Sequence, residues 1–299
     1  MPSVSSLEQA SALLAEAAAE GRRVRIGEDV TTDGLDRVLE HEAGDLTCTV
    51  EAGVRLSALN ARLAEHGQRL SLDPPGDPTV GALLARNLSG PLRHRFGAPR
   101  DLVLGVTLVL GDGTVASAGG KVVKNVAGYD LARLVCGSEG RLALIARASF
   151  RLHPLPKASA TLLAEPEDVP GAVAALLRSQ LEPSALDVLH PGRIALLFEG
   201  SPRAVEAQLA AARALVGGGE AGPEVWEESR RRQGEARGRV LFAPGELRAV
   251  LERLERALVR PAAGVAYTPE PTERPEPPEA LRRLHERLRA AFDPRGVLA

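Results

Sequence analysis

The chain has 299 residues, of which 44% are hydrophobic and 25% charged, a composition typical of a globular protein long enough for two domains. Its net charge of −2 and its 3% of aromatic residues argue against a nucleic-acid partner, and no apolar run reaches the length of a membrane span. The first residues lack the plan of a signal peptide, and Cys48 and Cys136 are expected to be free thiols. We therefore expect a cytoplasmic protein.

The predicted elements of the first half alternate between helices and strands. Apolar residues at helical spacing, together with capping side chains and glycine stops, predict helices at residues 6–20, 55–66, 80–85 and 131–135. Alternating or continuous apolar residues predict strands at residues 23–26, 45–53, 102–110 and 142–152. Between the first two strands lies a turn, Gly27 to Gly34, that carries three carboxylates.

The stretch from Ser71 to Gly90 has a stiff entry followed by a helix start. Prolines at 74, 75 and 78 restrict the backbone, and Thr79 can cap the helix that follows. Free N–H groups and the positive end of the dipole make a helix start a natural anion site. A plain capped helix without a ligand is the alternative.

The stretch from Gly119 to Gly140 is the most distinctive glycine-rich segment of the sequence. It contains five glycines and two lysines between two predicted strands. Glycine lets the backbone approach a ligand closely, and successive N–H groups in such turns can bind an anion. A pair of turns that binds nothing is the alternative.

From about Pro156 the sequence predicts a second, compact α+β domain. Strands are predicted at residues 161–164, 185–189 and 194–198, and helices at residues 169–179, 202–216 and 244–259. Residues 217–219 and 269–278 are linker-like, and a final amphipathic helix is predicted at residues 280–292. The mixed-charge run from Glu227 to Arg239 is interpreted as a solvated helix face.

Several common signatures of enzymes are absent from the sequence. No dinucleotide-binding glycine fingerprint and no Walker-type phosphate loop occurs. The six histidines and two cysteines show no metal-ligand spacing, so no metal site is predicted. No nucleophile elbow occurs either, and the catalytic residues stay unassigned.

Seven short motifs occur in a particular order along the chain. They are Pro74-Pro75, Thr79-Val-Gly-Ala82, Asn87-Leu-Ser-Gly90, Phe96-Gly-Ala-Pro-Arg-Asp101, Lys124-Asn-Val-Ala-Gly-Tyr-Asp-Leu131, Gly137-Ser-Glu-Gly140 and Ala291-Phe-Asp-Pro-Arg-Gly-Val297. Together they resemble the PCMH-type FAD-binding fold of the vanillyl-alcohol oxidase family, and within it the flavin-binding E-type subunits of bacterial glycolate oxidase. The match is continuous from residue 1 to about residue 157.

The resemblance implies an α+β fold in which FAD lies between two subdomains of residues 1–157. A smaller α+β cap domain, residues 158–278, would be inserted before a C-terminal helix. That helix, in residues 279–299, would return to the FAD-binding domain.

The resemblance also implies which residues lie at the cofactor. The pyrophosphate would lie at Thr79, Val80, Gly81 and Ala82. The ribityl chain or the isoalloxazine would lie near Asn87, Ser89 and Gly90. The other subdomain would line FAD with Gly137, Ser138, Glu139 and Gly140, and the adenine would lie at Ile145. Contacts to FAD or to its loop are expected from Lys124, Asn125 and Tyr129.

One loop departs from the family pattern. The family carries a glycine-rich loop after its opening strand, whose backbone N–H groups grip the pyrophosphate, whereas the corresponding residues 26–34 keep only Gly27 of that pattern. Glu28 and Asp29 place negative charge there, at a cost on the order of 1 kcal/mol in water. FAD binding would then be weakened or would depend on the second loop, around Thr79.

Three functions are compatible with these expectations. The first is an FAD-binding subunit of a glycolate (2-hydroxy-acid) oxidase complex, with little activity alone. In that complex a D-type flavoprotein subunit oxidises the substrate and an iron–sulfur F-type subunit accepts the electrons. The second is a flavin-free structural subunit of the same complex, in which glycines in place of Glu28 and Asp29 would create flavin binding. The third is a free-standing FAD-dependent 2-hydroxy-acid dehydrogenase that is similar to D-lactate dehydrogenases.

Overall fold

A computed structural model describes residues 2–120, 130–273 and 276–299. The strands before residue 157 are β1 (Val38–Glu42), β2 (Thr47–Glu51), β3 (Gln68–Arg69), β4 (Val103–Val109), β5 (Val115–Gly119), β6 (Leu144–Arg151) and β7 (His153–Pro154). The helices there are α1 (Leu7–Glu20), α2 (Leu56–Ala64), α3 (Val80–Ala85), α4 (Arg93–Phe96), α5 (Pro99–Leu102) and α6 (Leu131–Val135).

The strands after residue 157 are β8 (Ala158–Ala164), β9 (Ala185–His190), β10 (Arg193–Gly200), β11 (Gly219–Ala221), β12 (Gly238–Leu241), β13 (Ala257–Arg260) and β14 (Val265–Thr268). The helices of this part are α7 (Val169–Arg178), α8 (Pro202–Val216), α9 (Glu224–Gly234), α10 (Leu247–Arg253) and α11 (Glu279–Phe292). The mixture of helices and sheets fits the expected α+β class.

The N-terminal sheet has the strand order β1-β2-β6-β4-β5, and each neighbouring pair is antiparallel. Strand β6 lies at its centre and is buried on both faces. Leu144 packs in a cluster with Leu14 of α1, whereas Ile145 packs in a cluster with Leu59 of α2 and Leu83 of α3. The sheet therefore has α1 on one face and α2 and α3 on the other.

The C-terminal sheet has the strand order β11-β8-β10-β9-β13-β14-β12. One face packs against α7, α8 and α10, with Val173, Leu209 and Val250 buried in a common cluster. The opposite face packs against α9, where the indole of Trp226 donates a hydrogen bond to Thr161 Oγ1 at 2.9 Å. Helix α9 thus lies between the C-terminal sheet and the N-terminal part of the chain.

Charged side chains join the N-terminal and C-terminal parts of the chain, and one of them, Arg69, lies in a separate two-stranded sheet formed by β3 and β7. Arg69 of β3 donates two hydrogen bonds to the carboxylate of Glu199 on β10, at 2.8 and 2.6 Å. Arg95 donates to the carbonyl of Glu182 at 3.2 Å. These contacts mark the face where the N-terminal part of the chain meets the C-terminal part, which is called the junction below. The predicted domain boundaries at residues 157 and 278 stay predictions.

The local signals predicted the capped helices well. Helix α1 begins after Ser6, whose side chain caps it, and ends at Gly21 with φ 65°. Thr79 caps α3 and Asp130 caps α6, and both helices have the predicted bounds. Capping is encoded within a few residues, so it can be identified from sequence alone.

Two predictions in the second half were wrong. The helix predicted at residues 244–259 ends at Arg253, and Ala257–Arg260 is strand β13. All four residues of β13 are buried, and an interior strand gives a continuous apolar run that cannot be distinguished from a helix by periodicity. The run from Glu227 to Arg239 is not a wholly solvated face, because Ser229 of α9 is fully buried.

Candidate functional site

The start of α3 uses its own N–H groups within the protein. Val80 N–H donates to Val54 O at 2.9 Å, and Gly81 N–H donates to Ala52 O at 2.7 Å. Ala82 N–H donates to the capping Thr79 Oγ1 at 3.3 Å. These three N–H groups are therefore not free for an anion, and the start of α3 is better described as a capped helix packed on the strand end.

The segment Asn87–Gly90 follows α3 in a tightly packed turn. Asn87 has a positive φ of 48°, and its side-chain oxygen accepts a hydrogen bond from Arg100 N–H at 3.3 Å. At Gly90 a Cβ atom would lie 1.8 Å from Asp73 O, so only glycine fits. Ser89 is buried, and its carbonyl faces the junction.

The loop Gly137–Gly140, called the 137–140 loop, packs on the end of α3. Gly137 N–H donates to Leu84 O at 3.0 Å, and Glu139 N–H donates to Ala85 O at 2.8 Å. Gly140 has φ 78°, and a Cβ atom added at this position would lie 3.1 Å from Ile26 Cβ. The predicted site segments at 79–82, 87–90 and 137–140 thus lie in one continuous region.

A cavity opens beside the 137–140 loop. It has a volume of about 310 Å³ and lies between that loop and the final helix, lined by Leu134, Cys136, Gly137, Ser138, Glu139, Arg141, Leu142, His285, Leu288 and Arg289. Ser138 Oγ is buried and has no hydrogen-bond partner within the described parts of the chain. The loop therefore offers both space and an unpaired hydroxyl. Ile145, by contrast, is buried in β6 and does not line this cavity.

The first loop, residues 27–34, is closed by hydrogen bonds within itself. Gly27 N–H donates to Val30 O at 2.7 Å, and the N–H groups of Glu28 and Asp29 donate to Arg25 O at 3.2 and 2.8 Å. These donors resemble those of an anion-binding turn in position, but carbonyl oxygens already accept from them.

The acidic side chains of the first loop are paired with an arginine. Arg25 lies 2.6 Å from the carboxylate of Glu28 and 3.2 Å from that of Asp29. The side-chain hydrogen bond from Arg25 lowers the pKa of Asp29, so this carboxylate stays ionised. The negative charge that sequence analysis placed here is therefore partly neutralised.

The junction contains a buried charged cluster that sequence analysis missed. Arg260 of β13 and Asp187 of β9 lie 3.2 Å apart, with exposed fractions of 3% and 0%. Ser229 Oγ donates to Asp187 Oδ2 at 2.5 Å, and Arg260 also reaches Ser89 O at 3.5 Å. Two signals were available, namely Asp187 inside the apolar run Ala185-Leu-Asp-Val-Leu189 and Arg260 at the end of the apolar run Ala257-Leu-Val-Arg260.

The space around this cluster is small. A cavity of about 10 Å³ lies among Arg93, His94, Leu186, Arg260, Ala262 and Ala263. His94 Nδ1 and Arg260 Nη2 are buried there without a partner in the described residues. Burial lowers the pKa of His94, which keeps its ring neutral. A space of this size holds about one water molecule.

Asp73 links the turn at Gly90 to the junction. Its carboxylate accepts a hydrogen bond from Leu92 N–H at 2.9 Å and lies 3.8 Å from Arg230 of α9. Burial raises the pKa of Asp73 to about 7, despite the opposing effects of that hydrogen bond and of nearby arginines. This carboxyl group therefore titrates near neutral pH.

Some expectations lie outside these observations. Lys124, Asn125 and Tyr129 are outside the described residues. In residues 2–120, 130–273 and 276–299, no helix is both long and apolar enough to cross a membrane. The same residues contain no group of three or more histidine, cysteine or acidic side chains placed to bind a metal ion.

Comparisons with known proteins agree with this architecture. Residues 3–119 match the family described as FAD binding domain. The chain is 34% identical over 218 residues to glycolate oxidase subunit GlcE of Escherichia coli (strain K12), covering 70% of this chain and 61% of that protein. It is 39% identical over 159 residues to D-lactate dehydrogenase of Archaeoglobus fulgidus, covering 51% of this chain and 35% of that protein.

The fold also matches a solved structure along its length. Alkyldihydroxyacetonephosphate synthase superposes with a TM-score of 0.76 at 15% identity, covering 99% of this chain and 75% of that one. This chain spans about three fifths of GlcE, 61% of its length, and smaller shares of the other curated relatives named here. Its residues 3–119 are similar to FAD-binding domains, and glycolate oxidase subunits are among its relatives.

Proposed function

We propose that this chain is the FAD-carrying subunit of a glycolate (2-hydroxy-acid) oxidase complex. Its similarity to GlcE, 34% identity over 70% of the chain, supports the oxidase family. In the proposed complex a D-type flavoprotein subunit oxidises the 2-hydroxy acid, and an iron–sulfur F-type subunit accepts the electrons. The complex is proposed to be cytoplasmic, with any membrane association made through the partners.

The residues that would contact FAD form one region. The loops that would bind the cofactor directly differ from those of the family pattern. The 137–140 loop fits a nucleotide, because it borders a cavity of about 310 Å³ and carries the unpaired Ser138 Oγ. The first loop and the start of α3 do not offer the N–H donors named above to a diphosphate. FAD supplies two-electron redox chemistry when bound, and the chain supplies its orientation.

The proposed FAD site consists of the residues that the resemblance assigns to the cofactor, some in contact with it and others behind it. They are Thr79, Val80, Gly81, Ala82, Asn87, Ser89, Gly90, Gly137, Ser138, Glu139, Gly140 and Ile145. In this proposal the residues of α3 and of the turn at 87–90 position the loop behind the cofactor. Direct polar contact is assigned to the 137–140 loop, because its hydroxyl is the one left unpaired.

The closed junction is the observation that favours a companion subunit over an independent dehydrogenase. A substrate that reacts with the flavin would be expected between the FAD-binding domain and the proposed cap domain. Among the described residues, that place contains a cavity of about 10 Å³, and Asp187 already neutralises Arg260. A 2-hydroxy acid has several heavy atoms and does not fit a space sized for one water molecule.

The test measures flavin content and activity in the same preparation. The purified chain would be examined by visible absorption, and its released flavin identified by chromatography. We expect FAD at close to one per chain, little glycolate or D-lactate oxidation by the chain alone, and activity after assembly with D-type and F-type subunits. Efficient turnover by the isolated chain would contradict the subunit role.

A flavin-free structural subunit of the same complex is the second candidate. The closed first loop favours it, since the N–H groups of Gly27, Glu28 and Asp29 are all used within the loop. Under this alternative the chain lacks flavin even after incubation with excess FAD, yet still copurifies with the D-type and F-type subunits. Flavin content therefore separates the two candidates.

A further inference from the structure

Three arginines from distant parts of the chain converge on one cleft. Arg23 precedes the first loop, Arg141 follows the 137–140 loop and Arg289 lies on α11, and all three line a cavity of about 500 Å³. The cavity at the 137–140 loop is also lined by Arg141 and Arg289, so the two spaces adjoin. We call the larger space the arginine cleft.

The side chains that line the arginine cleft include three arginines and one carboxylate, that of Asp293. Arg23 and Arg289 have no hydrogen bond or ion pair with another side chain in the described ranges. Arg141 pairs with the exposed carboxylate of Glu139 at 3.3 Å. The acidic side chain that lines the cleft, Asp293, accepts two backbone N–H bonds from the segment that follows it. Converging guanidinium groups repel each other, and a bound anion removes that cost.

The diphosphate of a dinucleotide is the anion that fits this place. Arginine binds phosphate oxygens through paired N–H groups, and a diphosphate presents oxygens to more than one arginine at once. The adjoining cavity is lined by Ser138, whose buried Oγ has no partner in the described chain and would turn toward the cavity to meet the nucleoside next to that diphosphate.

We propose that Arg23, Arg141 and Arg289 bind the diphosphate of FAD in place of the first glycine-rich loop. This assignment rests on the proposed function, because it assumes that FAD is the dinucleotide. It explains how the chain can carry the cofactor although the first loop has closed its N–H groups onto its own carbonyls. The ADP half of the cofactor then lies between the 137–140 loop and α11.

The experiment compares ligands with and without the diphosphate. Arg23→Gln, Arg141→Gln and Arg289→Gln, singly and combined, would be titrated with FAD, ADP and riboflavin by fluorescence and calorimetry on flavin-depleted full-length chain. Each single change is expected to weaken FAD and ADP binding about tenfold, because one charge-assisted contact is lost. Riboflavin lacks the diphosphate and its affinity should not change.

The matched control is Arg282→Gln. Arg282 lies exposed on the same helix as Arg289 but lines neither cavity, so its replacement changes the net charge without removing a proposed contact. An equal loss of FAD affinity in this variant would show that the three arginines act only through the net charge of the protein, and it would overturn the proposal. Melting temperatures of all variants check that the exposed changes leave the fold intact.

The outcomes separate this inference from the proposed function. Tight FAD binding that survives the triple replacement overturns the arginine assignment and leaves the flavoprotein role in place. Arginine-dependent ADP binding by a chain that binds no FAD supports the cleft and refutes the flavin-carrying role. A chain that binds neither ligand refutes both.

Discussion

The first loop and the 137–140 loop both contain glycine and meet at Ile26, but their hydrogen bonds differ. In the first loop, Gly27 N–H donates to Val30 O of the same loop at 2.7 Å, and Asp29 N–H donates to the preceding Arg25 O at 2.8 Å. In the 137–140 loop, backbone N–H groups donate to the end of α3, while Ser138 Oγ stays unpaired beside a cavity. Glycine content therefore does not make an anion site unless donors are left without a partner.

The two loops also differ in what keeps them in place. The first loop is fixed by backbone hydrogen bonds and by the carboxylate of Asp29, whose lowered pKa keeps it ionised near neutral pH. The 137–140 loop packs beside the turn at 87–90, and that turn depends on Asp73, a buried carboxyl group with a pKa of about 7. Substitutions and pH should therefore disturb the second region more than the first.

The largest effect is expected from Gly90→Ala. The added Cβ would lie 1.8 Å from Asp73 O, and a backbone carbonyl cannot move aside as a flexible side chain can. We expect the free energy of unfolding to fall by about 3 kcal/mol or more. Urea denaturation measures it, with Gly44→Ala as the control, because nothing lies within 4 Å of a Cβ there. Equal stability of the two variants would contradict the packing described for Gly90.

The pH dependence of stability tests the role of Asp73. Its pKa is raised to about 7, so protonation favours the folded state. The stabilisation is full below the ordinary carboxyl value and is lost as the pH rises through 7. Each pKa unit corresponds to about 1.4 kcal/mol, and a fifth of the side chain is exposed to solvent. We therefore expect a reduced loss of about 2 kcal/mol between about pH 4 and about pH 7.

The measurement for Asp73 is urea denaturation across that pH range in the wild-type chain and in Asp73→Asn. Asparagine keeps an oxygen that can accept the hydrogen bond from Leu92 N–H but does not titrate. The variant should lose the part of the pH dependence that Asp73 contributes. Parallel profiles for the two proteins would mean that Asp73 titrates in its ordinary range.

A smaller effect is expected at Gly137. Its φ is 83°, but the nearest atom to an added Cβ, Asn87 Cβ, is 3.7 Å away, so the cost is backbone strain without a clash. Gly137→Ala should lower the free energy of unfolding by about 1 kcal/mol. Gly137→Asn should cost less, because asparagine tolerates positive φ. Thermal unfolding of the pair checks this order, and a costlier asparagine would contradict it.

The structural features that the sequence predicted are those that depend on residues close together in the chain. Ser6, Thr79 and Asp130 cap helices through contacts three residues away, and the caps at Thr79 and Asp130 were predicted. Strand β13 was predicted as helix, because its burial comes from neighbours that are distant in sequence. Local chemistry is readable from a single chain, whereas burial by distant segments is not.

The candidate site shows the same limit. The segments at 79–90 and 137–140 were predicted through family motifs, and the structure places them side by side. The pairing of Asp187 with Arg260 was missed, because the two residues are 73 positions apart. The use of the N–H groups of α3 was missed too, since nothing in the motif shows that Ala52 O and Val54 O accept from them.

The smallest effect is expected from the double replacement Glu28→Gly and Asp29→Gly. If charge alone kept the diphosphate away from the first loop, the change would create or strengthen FAD binding. The N–H groups at positions 27–29 donate to Val30 O and Arg25 O, however, and glycines do not remove those acceptors. We therefore expect FAD affinity to stay the same.

The measurement is a fluorescence titration of wild-type chain, double variant and Arg25→Gln, which leaves both carboxylates without their arginine. A gain of about tenfold, 1.4 kcal/mol, in the double variant would show that charge had closed this site, and the diphosphate would then belong to the first loop rather than to the arginine cleft.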